Sequence, residues 1–288
     1  MKTRTGGFSI GWRNRELSWE ETLEDALAFG ARNGLAVIDL KNPTLEAVRE
    51  TRERGLQIGS VDLPNWQGMT SADAQRRKEA IEENCAYVQS LAAVDVEHFF
   101  VCMLPEDPEL PRKENFERLV ESYTELGKVM ESCGADLVIE GWPGRGCLVS
   151  TPESYRLLLE QTPESIGVNY DPSHLVRMGI DPIRFLKEFL PRVYHCHGKD
   201  CRIDPERLYE HGTEVEPVHG EKPPYAGYHW RYTIPGHGMT PWIPVMELLR
   251  DGGYAGAICI ELEDVHFNET PELQMKGVVE AARFLSEC

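Results

Sequence analysis

The chain has no CxxC pair, no GxxxxGK[ST] phosphate loop and no apolar run of membrane-spanning length. Each absence removes a class of function. Without paired spacings, the eight cysteines (85, 102, 133, 147, 196, 201, 259 and 288) do not read as a zinc or disulfide framework. Several lie inside apolar strand-like runs, where Cys behaves as a small hydrophobe. Reduced thiols of this kind, and a start (MKTRTGGFSIGW) without a signal-peptide apolar core, predict a cytoplasmic protein. The missing phosphate loop, and the lack of a glycine fingerprint after the first strand, argue against nucleotide-binding folds. Positive charge is scarce as well. Thirty Lys and Arg face 48 Asp and Glu, a net charge of −18. That surface repels phosphate backbones and anionic lipid, so neither nucleic acid nor membrane is an expected partner.

What is present is a regular alternation. The chain has 288 residues, 41% of them hydrophobic, enough for one sizeable core. Short apolar runs at 8–12, 35–40, 56–63, 98–104, 136–142, 166–171, 193–199 and 257–262 read as strands. Helical stretches follow each of them. Ser18 with Glu21 has the form of a capping box opening the first helix. Thr151-Pro152-Glu153 supplies an N-cap, an N1 proline and an acidic first turn for a later one. Eight strand–helix pairs in this length predict a closed (β/α)8 TIM barrel over residues 1–288, with a doubly wound open sheet as runner-up. Residues 201–238 interrupt the pattern as a long polar loop rich in Pro, Gly, His and Tyr. Its histidines, 211, 219 and 229, match no standard ligand spacing.

Barrel enzymes collect their chemistry at the C-terminal ends of the strands. There the second half of this chain carries Glu140 (VIEGW), Asp171 (NYDPSH), His197 (HCHGK) and Glu261 (CIELED). A single acid at a strand end is ordinarily a cap or an ion pair, and Asp171 before Pro172-Ser173 suits a cap. Three carboxylates meeting beside an imidazole, on four neighbouring strands, oppose one another's ionisation unless a cation joins them. Oxygen and imidazole donors without thiolate suit a divalent metal: Mn²⁺ first, with Mg²⁺, Co²⁺ and Zn²⁺ compatible. Nearby, His195 shares a strand face with His197. Lys199 and Asp200 either contact substrate or form an ordinary ion pair. Arg145 is an oxygen-binding candidate or an exposed loop charge, and His237 and His266 are rim candidates or plain loop residues. Trp12 and Trp66 suit a sugar-site wall and core packing equally.

The segments DPSHL (171–175), HCHGKD (195–200), PGHG (235–238) and GYAG (253–256) leading into IELED (260–264) resemble the sugar phosphate isomerase/epimerase family, the xylose-isomerase-like barrels. The likeness covers essentially the whole chain and is strongest from residue 136 onward. It implies a metal held by Glu140, Asp171, His197 and Glu261, and an acid/base pair, Glu140 and Glu261, on opposite faces of the substrate. His174 would match the family's substrate-contacting histidine, with His195 in a supporting or substrate-facing role. The expected reaction is isomerisation or epimerisation of a sugar, keto-sugar or polyol carbonyl through an enediolate. Relatives that finish by β-elimination from keto-cyclitols, dehydroshikimate or 3-oxo-glycosides make a lyase the alternative. A non-catalytic sugar-binding barrel is the third reading. Oligomeric state stays open, a homo-oligomer included.

Overall fold

The computed structural model describes residues 1–14 and 17–288. Its strands are β1 (Ile10–Arg13), β2 (Val37–Leu40), β3 (Gln57–Asp62), β4 (His98–Cys102), β5 (Asp136–Glu140), β6 (Ile166–Tyr170), β7 (Val193–Gly198), β8 (Asp200–Ile203), β9 (Trp230–Thr233) and β10 (Ile258–Ile260). Eight of them close a barrel in the order β1-β10-β7-β6-β5-β4-β3-β2, as the alternation predicts. The helices are α1 (Leu23–Asn33), α2 (Leu45–Glu53), α3 (Ala74–Ala92), α4 (Arg112–Cys133), α5 (Pro152–Leu159), α6 (Pro172–Arg177), α7 (Pro182–Phe189), α8 (Pro205–His211), α9 (Trp242–Asp251) and α10 (Pro271–Glu287). No helix among the described residues is long and apolar enough to cross a membrane.

The contacts divide the chain into two compact units. One comprises residues 39–170 and 189–195. Within it β3, β4, β5 and β6 pair in parallel, with Phe99 opposite Leu137 and Leu137 opposite Ile166. These side chains are fully buried beneath α3 and α4, whose inward residues include Val88, Leu119, Tyr123 and Leu126. Burying such side chains contributes roughly 1.5–3 kcal/mol each.

The other unit comprises residues 1–38, 171–188 and 196–288. In it β10 pairs with β1 on one side and with the end of β7 on the other. The first helix begins later than Ser18. Thr22 is the N-cap, its hydroxyl accepting from the Asp25 N–H while the Asp25 carboxylate accepts from the Thr22 N–H. That pair completes both halves of a capping box, so it outcompetes Ser18, whose hydroxyl donates instead to Gln274 Oε1 at 2.9 Å. Gly34 ends the helix in the left-handed conformation, at φ 68°.

The long segment after β7 also departs from the expected open loop. It folds β8 and β9 into an antiparallel pair, with α8 between them. Asp200 fastens it. Its Oδ1 accepts from the N–H groups of Cys201 (2.8 Å), Met239 (3.0 Å) and Thr240 (2.9 Å), and its Oδ2 accepts from Trp242 Nε1 at 3.0 Å. A side chain at Gly238 would meet Asp200 Oδ1 at 2.2 Å, so only glycine lets the turn close over that carboxylate. Asp264 takes the far end of β9, accepting from Ile234 N–H at 3.1 Å and from Arg231 Nη1 at 3.2 Å. Thus Asp200 is a fastener of the fold, and His266 donates its own N–H to Asp264 at 3.0 Å.

Candidate active site

The unit built around β10 gathers its charge on one lysine. Lys199 directly follows β7, two residues beyond His197 and on the same strand face. Its side chain is only 1% exposed. Lys199 Nζ lies 3.1 Å from Asp171 Oδ2 and 3.0 Å from Glu263 Oε2, and it also contacts Glu261 Oε2. Glu261 in turn meets Arg13 Nε at 3.3 Å through Oε1, because β1 ends beside the end of β10. An ammonium taken out of water is costly unless charge and hydrogen bonds replace the lost hydration. Three carboxylates supply that replacement here.

Asp171 caps a helix, as the sequence suggested, and also enters the charged cluster. Its Oδ1 caps α6 by accepting from Ser173 N–H at 2.9 Å, which leaves Oδ2 for Lys199 and for His174 Nε2 at 3.3 Å. His174 lies one turn into α6 on the Asp171 side, and its Nδ1 is 2.7 Å from the Tyr232 hydroxyl of β9. His197 is completely buried, with Nδ1 3.8 Å from Glu261 Oε2. Asp171, His174 and Glu261 each bring a ligand-type atom within 4.8 Å of the others.

The other unit carries a line of hydrogen bonds through the strand interiors. Asp39 Oδ1 on β2 meets His195 Nε2 at 3.0 Å, and His195 Nδ1 meets Asn169 Oδ1 at 2.8 Å. Asn169 Nδ2 then donates to Glu140 Oε2 at 2.9 Å, the two residues being directly opposed in the β5–β6 register. The amide sets the direction: its nitrogen faces Glu140, so its oxygen must accept, and His195 Nδ1 carries a proton.

Other groups bear on what the site can do. Burial pushes the Cys196 thiol well up, and burial followed by the Asp200 charge pushes Cys201 up to about 12. Both stay protonated at neutral pH and offer no thiolate. Arg145 is 81% exposed and ion-paired with Glu109. His237 is 44% exposed and stands 3.9 Å from Glu280 on α10. Trp12 is a core residue whose Nε1 donates to Glu20 Oε1 at 3.1 Å.

Six participants were not among the candidates read from the sequence: Arg13, Asp39, Asn169, Arg177, Tyr232 and Glu263. Asp39 in VIDL and Asn169 in IGVNY carried a usable signal, a polar side chain inside an otherwise apolar strand. Tyr232 carried none, because its role depends on how the segment after β7 folds.

A family model described as xylose isomerase-like TIM barrel matches residues 18–288, and the chain belongs to that family. Over 279 residues it is 30% identical to an inosose dehydratase of Bacillus anthracis, covering 90% of this chain and 89% of that one. An inosose dehydratase of Geobacillus thermodenitrificans is 26% identical over 278 residues, covering 91% and 90%. Among solved structures, the 3-keto-D-glucoside 4-epimerase of E. coli superposes with a TM-score of 0.70 at 15% identity. That match covers 98% of this chain and 100% of that one, a likeness of fold.

Proposed function

We propose that the chain is a divalent-metal-dependent enzyme that removes the proton beside a carbonyl of a polyhydroxylated substrate, with loss of water from a keto-cyclitol as the favoured outcome. The observation that carries the reading is the convergence of buried Asp171, Glu261 and Glu263 on one cationic point, flanked by imidazoles. That cluster already holds a cation, the Lys199 ammonium, and its donors are oxygen and imidazole nitrogen with the nearby thiols protonated. Such a set fits a hard or borderline divalent ion, Mn²⁺ foremost. Asp171, His197 and Glu261 would hold it, with Glu140 completing the set from the end of β5. When bound, the ion polarises the substrate carbonyl and acidifies the neighbouring C–H.

The chain's own groups carry the proton. Glu261, steadied by Arg13, and Glu140, oriented by Asn169, are the acid/base pair: one takes the carbon-bound proton and the other protonates the departing oxygen or returns a proton to carbon. His174 and Lys199 bind substrate oxygens. Glu263 gives the lysine a carboxylate of its own, so Asp171 and Glu261 are not its sole partners. Likeness to inosose dehydratases over nine-tenths of the chain favours elimination. The second reading, epimerisation or isomerisation, is favoured by the shared first step and by the fold of the 3-keto-D-glucoside 4-epimerase.

The test is metal analysis of protein purified without chelator, then NMR of inososes, keto-sugars and 3-oxo-glycosides in D₂O. About one divalent ion per chain and loss of water from an inosose are expected. Deuterium entry with the composition retained selects epimerisation. A metal-free chain inert with and without added Mn²⁺ rejects both.

A further inference from the structure

The segment after β7, which the sequence leaves without a role, carries a cleft of its own. Arg202 of β8 and Arg231 of β9 stand directly opposite each other in the antiparallel register. Opposed residues share a sheet face, so two cations meet there, on the face away from Tyr232. Like charges so placed destabilise a strand pair. Arg207 joins them from the first turn of α8. Asp204 sets that turn, its Oδ1 accepting from the N–H groups of Glu206 at 3.1 Å and Arg207 at 3.0 Å. The three arginines line a cleft of about 100 Å³ together with Asp204, Trp230 and Val265.

That cleft runs against the balance of the chain, which has 30 Lys and Arg against 48 Asp and Glu. Two of its three cations are uncommitted. Among the described residues, Arg202 and Arg207 form no ion pair, whereas Arg231 Nη1 is held by Asp264 Oδ1 at 3.2 Å. That contact orients a guanidinium with five N–H donors and leaves the others to be used. The Trp230 wall is braced from the α6 side by the Arg177 guanidinium, 4.0 Å from the ring centroid.

We propose that this cleft binds a phosphate-type oxyanion. Its volume equals roughly three waters at about 30 Å³ each, which suits one phosphate or sulfate group with the rest of any larger molecule outside. Arginine is the fitting cation, because its planar fork pairs phosphate oxygens two at a time. A carboxylate has only two oxygens to share among three guanidiniums. A phosphate monoester brings three oxygens and a charge of about −1.5 to −2, and it would offset the opposition of Arg202 and Arg231. The lining shares no residue with the Lys199 cluster, and strand alternation turns Arg231 away from the Tyr232 face.

Binding is measurable by calorimetry on the chain as purified, at low ionic strength, with inorganic phosphate and with glycerol 3-phosphate. One saturable site per chain is expected. Arg202→Gln and Arg207→Gln should each weaken it about tenfold, the loss of a charged hydrogen bond. Arg32→Gln, on α1 outside the cleft, should bind phosphate as the unaltered chain does. Tighter binding of glycerol 3-phosphate than of phosphate supports a site for the phosphoryl arm of a larger ligand. Equal or weaker binding supports a site for the free ion. The thermal midpoint supplies a second readout. Without phosphate, Arg202→Gln should not lower it, because a like-charged pair is gone. Phosphate should raise the midpoint of that variant less than that of the unaltered chain. Absence of a saturable site, or affinity unaltered in both arginine variants, overturns the proposal. A midpoint that phosphate raises equally in Arg202→Gln overturns it too. Because binding is read without turnover, either result leaves the functional reading above where it stands.

Discussion

Two polar lines run through this molecule, and they are built from opposite materials. In the unit of residues 39–170 and 189–195, Asp39, His195, Asn169 and Glu140 all sit on barrel strands. Each is held by the pleat, and the line ends on a carboxylate. In the other unit, Arg177, Tyr232 and His174 come from a short helix and an inserted strand pair, and the line ends at Asp171, which already contacts Lys199. The strand-borne line orients an acid through polar groups spaced by sheet geometry. The insert-borne line orients an imidazole through a cation that lies outside the strands. The difference separates what the barrel provides by its own register from what a loop must be folded to provide.

The largest effect is expected at the proposed acid/base pair, Glu140 at the end of the strand-borne line and Glu261 beside the Lys199 that Asp171 contacts. Glu140→Gln and Glu261→Gln keep shape and remove the proton-carrying group. Each is expected to slow exchange of the substrate's carbon-bound proton in D₂O by about 10²–10⁴-fold. An exchange rate unaltered in either variant removes that residue from the pair.

A smaller effect separates the lines by stability. Lys199→Met removes the cation that buried Asp171, Glu261 and Glu263 share, so metal-free chain is expected to lose about 3–5 kcal/mol in urea unfolding. Added Mn²⁺ should restore part of that loss. Asn169→Leu leaves His195 Nδ1 and Glu140 Oε2 without their shared partner at a cost of about 1–3 kcal/mol, and metal should restore little. Equal metal rescue of the two variants would show that the lines do not differ in the way proposed.

The smallest effect concerns the opposite ends of β4 and β5. His98 and Asp136 face each other there in register, 3.9 Å apart. Burial, then the His195 charge, lowers His98 from 6.5 to about 4. Burial, then Glu97, raises Asp136 from 3.8 to about 6. A lowered His contributes stability that is present above 6.5 and lost as pH falls through about 4. A raised Asp contributes stability that is present below 3.8 and lost as pH rises through about 6. The slopes oppose, so stability is expected to be nearly flat between them. Asp136→Asn should convert it to one that rises with pH across that window, and an unaltered profile would discard the pairing of the two slopes.

The barrel was legible because its evidence is local and repeated: apolar runs of strand length, helix caps and short connections. Glu140, Asp171, His197 and Glu261 were legible as candidates for the same reason, each being a polar residue where an apolar run stops. The boundary near Ser18 misled because Thr22–Asp25 offers a second capping box four residues on, and sequence does not rank two adequate boxes. His195 read as a supporting or substrate-facing residue. Its tie to Asp39 joins residues 156 positions apart, and no strand pattern brings those two strands' interiors together on paper. Glu263 was hidden inside the ELED run, where one acid looks like the next until the chain turns. Tyr232 lay in a segment whose composition speaks only of turns.

The Asp200 carboxylate that fastens the inserted segment has a meaning for descent as well as for folding. One side chain gathers the amides of Cys201, Met239 and Thr240 and the Trp242 indole, so both ends of the stretch between those anchors are tied at a single point, with Asp264 as the second hold. Changes within that segment would alter what packs against His174 while leaving the order of the barrel strands as it is.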